Sequence, residues 1–258
     1  MISAKLPMLA ALLGLVTIGY SGHAETIPPA TALPVTFTQT LEAGKVRPGA
    51  IVIAKTTEPV FLPGGQALPD GTTLIGHVVE STPFRFNPAP YAVQTPSTLA
   101  IHFDKIARPG DSIPVNLAAR AVAGPVAAHE ASIPHYRDET DTTGTRILIG
   151  GSYFSPIGNK VFSPAGDIVG YNRATGVYAR LLPGGYVAAN STIRCGASET
   201  EQPVGIFSAN ACGVYSLDEA SMLDNGSGGE GTFVLESSRQ TVELYAGSAA
   251  LLEATAPH

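Results

Sequence analysis

Three polar side chains in the first half of the sequence are the best placed for chemistry. His77 and His102 occur in two stretches that alternate apolar and polar residues, and Asp104 follows shortly after His102. If the two stretches are paired strands, the three side chains could form a metal-binding or acid–base cluster. The alternation also directs His102 and Asp104 to the solvent side of their strand. We therefore predict a polar surface here, with no metal ligand and no catalytic residue.

Further groups of possible metal ligands lie in polar or glycine-rich segments. His129 and His135 do not have the His-Glu-x-x-His spacing that places two imidazoles on one helical face. The acidic groups lack the alternating Asp or Asn residues and the central Gly of a calcium loop. These groups are His129-Glu130 with His135-Tyr136, then Asp138, Glu139 and Asp141, and finally Asp224, Asn225 and Glu230. We predict solvated turns and no cofactor, and the scattered carboxylates keep a secreted hydrolase open as an alternative.

Aromatic side chains are concentrated in the second half of the chain. They are Tyr153, Phe154, Phe162, Tyr171, Tyr178 and Tyr186. Packing in a core or between paired strands is the ordinary role of such residues. Tyrosine also tolerates a wet edge, so the group could instead form a platform that binds carbohydrate or peptide. Both roles stay open at this point.

The two cysteines of the sequence, Cys195 and Cys212, predict one structural disulfide. Two cysteines close together in an exported chain usually form a bridge, and a redox-active pair usually has the Cys-x-x-Cys spacing, which is not met here. Closing a loop of this length would stabilise the fold by ~3 kcal/mol.

The first 24 residues have the pattern of a secretory signal peptide. Lys5 precedes an apolar run from Leu6 to Ile18, and small residues follow, including Ala24. The pattern predicts cleavage between Ala24 and Glu25. The apolar run is shorter than the ~20 residues that a membrane-spanning helix needs. We therefore predict an exported protein without an integral membrane span, in the periplasm, outer envelope or extracellular space.

Composition favours an all-β fold. The chain has 28 Gly and 21 Pro, a density that suits short strands and tight turns more than long helices. Its hydrophobic share of 44% is sufficient for a core. Its formal net charge of -6 gives no broad attraction to phosphate backbones, so we expect no nucleic-acid partner.

Alternation predicts the strands of the first half. Leu33, Val35 and Phe37 share one face of a strand, and Leu99, Ile101 and Phe103 point inward from another. The β-branched run at residues 50–54 predicts a strand that is buried on both faces. The segment Ser81 to Ser97 contains four prolines and is predicted to be a loop.

The second half contains several shorter strand candidates. They are Arg146 to Ile149, Asp167 to Tyr171, Val177 to Leu182, Val204 to Ser208, Gly213 to Leu217, Thr232 to Glu236 and Thr241 to Tyr245. The polar stretch before them has no periodicity. We therefore predict a small β-barrel at residues 30–124, a linker at 125–144 and a second β-rich domain at 145–254.

The order of turns in the first half resembles one known family. Val46-Arg47-Pro48-Gly49, then Leu68-Pro69-Asp70-Gly71 leading into Leu74-Ile75-Gly76, and Pro109-Gly110 after a strand resemble the TrbI-type β-barrel domain of conjugation and type IV secretion channels. The resemblance runs from Leu33 to about Val122. It implies a barrel module used in a cell envelope. Members of that family have an inner-membrane anchor and a long Pro-rich extension before the barrel, whereas this sequence passes directly from signal to barrel.

These observations together predict a non-enzymatic protein of the cell envelope that contacts an envelope protein partner. A closed barrel has no free edges, so contact is expected at loops such as Ser81 to Ser97. A secreted carbohydrate- or peptide-binding module that uses the aromatic residues of the second half is the first alternative, and the secreted hydrolase is the second. The sequence does not indicate the oligomeric state.

Overall fold

The computed structural model describes residues 26–62, 65–88, 93–184, 193, 195–223 and 231–256. These residues form an all-β fold with one short helix, which confirms the predicted fold class. The predicted signal peptide and its cleavage site at Ala24 and Glu25 lie outside the described residues. So do Tyr186, Asp224, Asn225 and Glu230.

The strands are short and follow one another closely along the chain. Those before the helix are β1 (Ala32–Phe37), β2 (Leu41–Glu42), β3 (Ile51–Thr56), β4 (Val60–Phe61), β5 (Ala67–Leu68), β6 (Thr73–Thr82), β7 (Arg85–Asn87), β8 (Val93–Thr95), β9 (Ser97–Arg108), β10 (Asp111–Pro114) and β11 (Leu117–Ala123). The helix and the strands after it are α1 (Pro125–Ser132), β12 (Arg146–Ile147), β13 (Tyr153–Phe154), β14 (Lys160–Phe162), β15 (Ile168–Arg173), β16 (Gly176–Arg180), β17 (Glu201–Pro203), β18 (Gly213–Tyr215), β19 (Ser221–Leu223), β20 (Thr232–Ser237), β21 (Glu243–Leu244) and β22 (Ala249–Ala254).

A nearly closed barrel is the largest part of the fold. In the described part of the chain, its sheet contains ten strands in the order β18-β11-β22-β1-β3-β6-β9-β20-β19, with β10 paired to β9. All neighbours are antiparallel except β11 and β18. The two end strands, β18 and β19, lie next to each other, which brings the sheet almost to closure. We call this sheet the barrel sheet.

The inside of the barrel is filled by the side chains that alternation placed there. Leu33, Val35 and Phe37 are buried in one cluster with Leu99, Ile101 and Phe103. The Phe37 ring lies 6.2 Å from that of Phe103 and 6.3 Å from that of Phe233, centre to centre. Two buried aromatic rings, those of Phe103 and Phe233, therefore pack near the Phe37 ring inside the barrel. The period-two prediction for these two strands is confirmed.

A second sheet packs against the outside of the barrel. Among the described residues it has six strands in the order β12-β13-β14-β15-β16-β17. Its inner face carries Leu148, Phe154, Val161 and Val177, which are buried against barrel residues such as Leu251. The barrel strand β22 is therefore buried on both sides, by the barrel interior and by the second sheet. This explains its nearly continuous apolar sequence.

The barrel sheet takes strands from both of the predicted domains. Strands β18, β19, β20 and β22 come from the range 145–254 but complete the sheet that begins at β1. The predicted boundary at residue 124 therefore does not separate two sets of strands. The physical reason is that β1 and β11 would each expose an open edge, and β22 fills the space between them by pairing with both.

Several local predictions are corrected by the structure. The strand at Ile51 is buried on only one face, because Val52 and Ala54 point inward while the Ile51 side chain is 63% exposed. The stretch predicted as a linker begins with helix α1. Most of Val204 to Ser208 lies after β17 as turns and a single bridge, not as a strand.

The Cys195–Cys212 disulfide predicted from the sequence is present. Both cysteines belong to the core cluster of the barrel, and Cys212 immediately precedes β18. The bridge therefore ties the connection between β16 and β17 of the second sheet to the start of β18, the strand with which the barrel resumes. This is the region where the chain crosses from one sheet to the other.

Candidate functional site

The outer face of the second sheet is an exposed row of aromatic and aliphatic side chains. Cross-strand partners point to the same side of a sheet, and the pairs Ile147 with Tyr153, Tyr153 with Phe162, and Phe162 with Ile168 form one continuous row. Tyr171 lies on the same face, because it pairs with Lys160, which is two residues before Phe162 on the same strand. We call Ile147, Tyr153, Phe162, Ile168 and Tyr171 the aromatic face.

The aromatic face is open to solvent in the described residues. Ile147, Ile168 and Tyr171 are exposed, while Tyr153 and Phe162 are half-buried because their rings stack, 5.8 Å apart and inclined by 27°. The structure thus brings together three of the aromatic residues predicted as a platform. Phe154, from the same group, is in the core on the opposite face. A row of exposed aromatic and aliphatic residues on a stable sheet is typical of a binding surface.

A cleft of about 500 Å³ lies at the end of this face, where the second sheet meets the barrel. Tyr178 lines the cleft. The centre of its ring lies 6.1 Å from the centre of the Phe61 ring, and the guanidinium carbon of Arg173 lies 5.3 Å from the centre of the Tyr178 ring. The Tyr178 hydroxyl donates a hydrogen bond to the carbonyl of Pro59 at 3.1 Å. Arg173 also forms an ion pair with Glu201. Tyr178 is therefore buried. Its contacts with Pro59 and Phe61 connect the second sheet to the chain that follows β3 of the barrel, and they leave little of its side chain for a ligand.

Glu58 lies beside this cleft and connects the barrel to the second sheet. Its Oε1 atom accepts a hydrogen bond from the backbone N–H of Val177 at 3.1 Å, and the N–H of Gly205 also bonds to the carboxyl group. Its Oε2 atom is buried without a hydrogen-bond partner among the described residues. Burial raises the pKa of Glu58 to about 7, and the two backbone bonds oppose that rise. Gly176 has no Cβ, and a Cβ there would overlap the carboxylate.

The segment predicted as a loop at Ser81 to Ser97 contains, among its described residues, two short paired strands, so the loop prediction is corrected there. Strands β7 and β8 pair only with each other among the described residues, and they continue the long β6–β9 hairpin past Pro83 and Pro96. All six residues of β7 and β8 are exposed. Phe86 is 54% exposed and Val93 is 57% exposed. We call β7 and β8 the arm.

The three polar residues singled out from the sequence do meet in the structure. His77 on β6 lies directly opposite His102 on β9, and their ring centres are 5.6 Å apart. The Nδ1 atom of His77 is 2.9 Å from Oδ2 of Asp104. The Nδ1 atom of His102 is 3.1 Å from the carbonyl oxygen of Gly231. These side chains lie on the outer surface of the barrel, as alternation predicted.

The acidic residues after the helix are used by the turns in which they occur. Asp138 accepts hydrogen bonds from the backbone N–H groups of Thr140 and Asp141, and Asp141 accepts from those of Thr143 and Gly144. Hydrogen bonds from the Thr140 side chain and backbone hold the pKa of Asp138 below its ordinary value. Bonds from Gly144 and Thr143 lower the pKa of Asp141 in the same way. The carboxylates therefore stabilise solvated turns.

Arg120 is the most deeply buried charged residue described and was not identified from the sequence. Its guanidinium donates to the carbonyls of Gly196 at 2.7 Å and Ala211 at 3.0 Å, and it also bonds to those of Leu182 and Ala209. Its Nη1 atom is 3.4 Å from Glu253 Oε1. Burial lowers the pKa of Arg120 and raises that of Glu253. The only sequence signal is an arginine within an apolar run at residues 117–123.

The comparisons with known proteins supply no family for the chain. Neither models of protein families, nor curated proteins, nor solved structures gave a match. The resemblance to TrbI-type barrel domains therefore stays a prediction from turn motifs. In the described residues no helix is long and apolar enough to cross a membrane. No group of three or more His, Cys, Asp or Glu side chains in the same residues is arranged to hold a metal ion.

Proposed function

We propose that this chain is an exported, non-enzymatic protein of the cell envelope that assembles with another envelope protein through its arm. The observation that carries the proposal is the exposure of the arm. A two-stranded hairpin is only marginally stable in water by itself. This one nevertheless extends beyond the barrel with two apolar side chains, Phe86 and Val93, in contact with solvent. A partner that covers them would stabilise the arm and bury both side chains.

The register of the arm indicates how a partner would bind. Phe86 pairs with Gln94, whereas Val93 pairs with Asn87, so the two apolar side chains lie on opposite faces of the hairpin. A partner that touched one flat face would cover only one of them. An extended strand added to an edge of the arm, or a groove that encloses the arm, reaches both. Strand addition gives affinity through backbone bonds and specificity through alternate side chains.

The non-enzymatic character is supported by how the ionisable groups are used. Asp138 and Asp141 are bonded to their own turns, and Arg120 is bonded to backbone carbonyls inside the fold. The His77–Asp104 pair lies on the outer surface of the barrel sheet. General acid–base catalysis works best in a pocket that holds a substrate and excludes water, and an open strand surface does not provide one.

The proposal is tested by site-specific photo-crosslinking at Gln94 in cells that produce the mature chain. We expect one reproducible crosslinked envelope protein, which is then purified and titrated against the mature chain. Phe86→Ser and Val93→Ser should each weaken this binding at least tenfold. The matched control is Ile157→Ser, because Ile157 is 80% exposed but lies in a turn of the second sheet. Equal binding by all three variants, or an uncrosslinked monomer, would contradict the proposal.

A second candidate function is favoured by the aromatic face. Its stacked Tyr153 and Phe162 rings, next to exposed Tyr171, could support a carbohydrate ring or an extended peptide. Under this alternative, Tyr171→Ser would weaken binding of a glycan or peptide detected by NMR titration. The same variant would leave crosslinking at the arm unchanged, so the two candidate functions can be told apart.

A further inference from the structure

The hydrogen bonds of the two paired histidines fix which ring nitrogen carries the proton in the neutral form. The carbonyl oxygen of Gly231 can only accept, so Nδ1 of His102 donates to it. The carboxylate oxygen of Asp104 is an acceptor as well, so Nδ1 of His77 donates in the same way. In each neutral imidazole the remaining nitrogen, Nε2, then has a lone pair. Both rings are therefore in the tautomer that coordinates a metal through Nε2.

Such bonds are the usual support of a metal-binding histidine. A ligating imidazole commonly donates its second nitrogen to a carboxylate or a backbone carbonyl, which orients the ring and makes the ligand more basic. His77 has the first kind of support, from Asp104, and His102 has the second kind, from Gly231.

The separation of the rings agrees with a shared ion. Two imidazoles bound to one tetrahedral ion at ~2.0–2.1 Å would have ring centres ~5.3 Å apart. The observed separation of His77 and His102 is 5.6 Å, with the ring planes inclined by 58°. The two residues also lie on neighbouring barrel strands, which hold their backbone positions rigidly.

We propose that His77 and His102 bind one divalent transition-metal ion through their Nε2 atoms, with water completing the coordination. Imidazole ligands suit Cu²⁺, Ni²⁺ and Zn²⁺, and the general order of affinity places Cu²⁺ above the other two. The site lies on the outer face of β6 and β9, on the same long hairpin as the arm but within the barrel sheet. The inference does not depend on the proposed assembly role, because it uses different side chains.

The proposal is tested by titrating the mature, tag-free protein with Cu²⁺ and with Zn²⁺ in separate calorimetry experiments after chelator treatment. We expect one ion per chain and tighter binding of Cu²⁺. His77→Gln and His102→Gln should each weaken Cu²⁺ binding at least tenfold. Asp104→Asn should weaken it by a smaller factor than either histidine variant, because it removes only the support of His77 and leaves both ligands in place. His129→Gln is the matched control, since His129 is exposed on the helix.

Spectroscopy keeps the test decisive if a variant folds poorly. Electron paramagnetic resonance of the Cu²⁺ complex of the unsubstituted chain should show two equivalent imidazole nitrogens. Unchanged affinity in His77→Gln or His102→Gln would overturn the proposal. So would a spectrum of the unsubstituted chain with only one nitrogen ligand, or a loss of binding as large in His129→Gln as in the other two variants.

Discussion

Glu58 makes the junction of the two sheets sensitive to pH, and its replacement by glutamine tests this directly. Its carboxyl group is enclosed between the barrel and β16 and receives backbone hydrogen bonds from Val177 and Gly205. Burial is the larger influence and raises the pKa of Glu58 from 4.5 to about 7. The charged form is therefore less favourable in the folded chain than in the unfolded chain. The amide of glutamine keeps the acceptor oxygen and removes the charge.

The sign and size of the effect follow from the two pKa values of Glu58. Below pH 4.5 the carboxyl group is protonated in both the folded and the unfolded chain, so its ionisation does not lower the free energy of unfolding. As the pH rises from 4.5 through about 7, the unfolded chain loses its proton first, so the free energy of unfolding falls. Above pH 7 the full loss is reached. The rise in the pKa of Glu58 from 4.5 to about 7 corresponds to a total loss of ~3 kcal/mol in the free energy of unfolding, at ~1.4 kcal/mol for each unit of pKa.

The assay is urea unfolding of the oxidised chain, residues 25–258, at pH 5 and at pH 8. We expect the free energy of unfolding to be lower at pH 8. The part of this decrease that disappears in Glu58→Gln should be ~2.5 kcal/mol, less than the full effect because the unfolded carboxyl group is already mostly ionised at pH 5. Glu130→Gln is the control, because Glu130 is exposed on the helix and should leave the decrease unchanged. If Glu58→Gln unfolds with the same pH dependence as the unsubstituted chain, the carboxyl group is not desolvated as described and the reasoning is refuted.

Two further predictions concern the crossing between the sheets. Arg120→Met should lower the free energy of unfolding by ~3–5 kcal/mol in urea titration, because it leaves several carbonyls and the Glu253 carboxylate without their donor. If Arg120→Met lowered the free energy of unfolding by less than the replacement of an exposed arginine does, the stabilising role given to the Arg120 hydrogen bonds would be contradicted. Replacing Cys195 and Cys212 together by serine should cost ~3 kcal/mol, measured as a lower urea midpoint, while circular dichroism keeps its β signature. If the double serine variant had the same urea midpoint as the unsubstituted chain, the disulfide would contribute little to the stability of the fold.

Strand alternation made much of the barrel predictable. The inward residues of β1 and β9 follow period two because each strand has one face in the barrel core. The pairing of these strands was not predictable in the same way. Nothing local in Ala249–Ala254 indicates that it lies between β1 and β11, because that position is determined by two distant edges that need a partner.

The candidate sites were predictable to different degrees. Alternation was sufficient to place His102 and Asp104 outward, and the pairing of β6 with β9 added His77. The platform of aromatic residues was predicted only as a group, since which face each strand buries depends on how the second sheet meets the barrel. Arg120 and Glu58 were missed because their roles arise from carbonyl and N–H groups contributed by distant segments.

The position of β22 has a consequence for the order in which the chain folds. A ribosome delivers β1, β3, β6 and β9 first, and these can pair with one another as successive hairpins. Strand β22, at residues 249–254, must then insert between β1 and β11. Its outward side chains also form part of the surface against which the second sheet packs. Such long-range closure is slow. The half-built barrel therefore exposes the edges of β1 and β11 until residues 249–254 have been made, and an unpaired strand edge is prone to aggregation before it is closed.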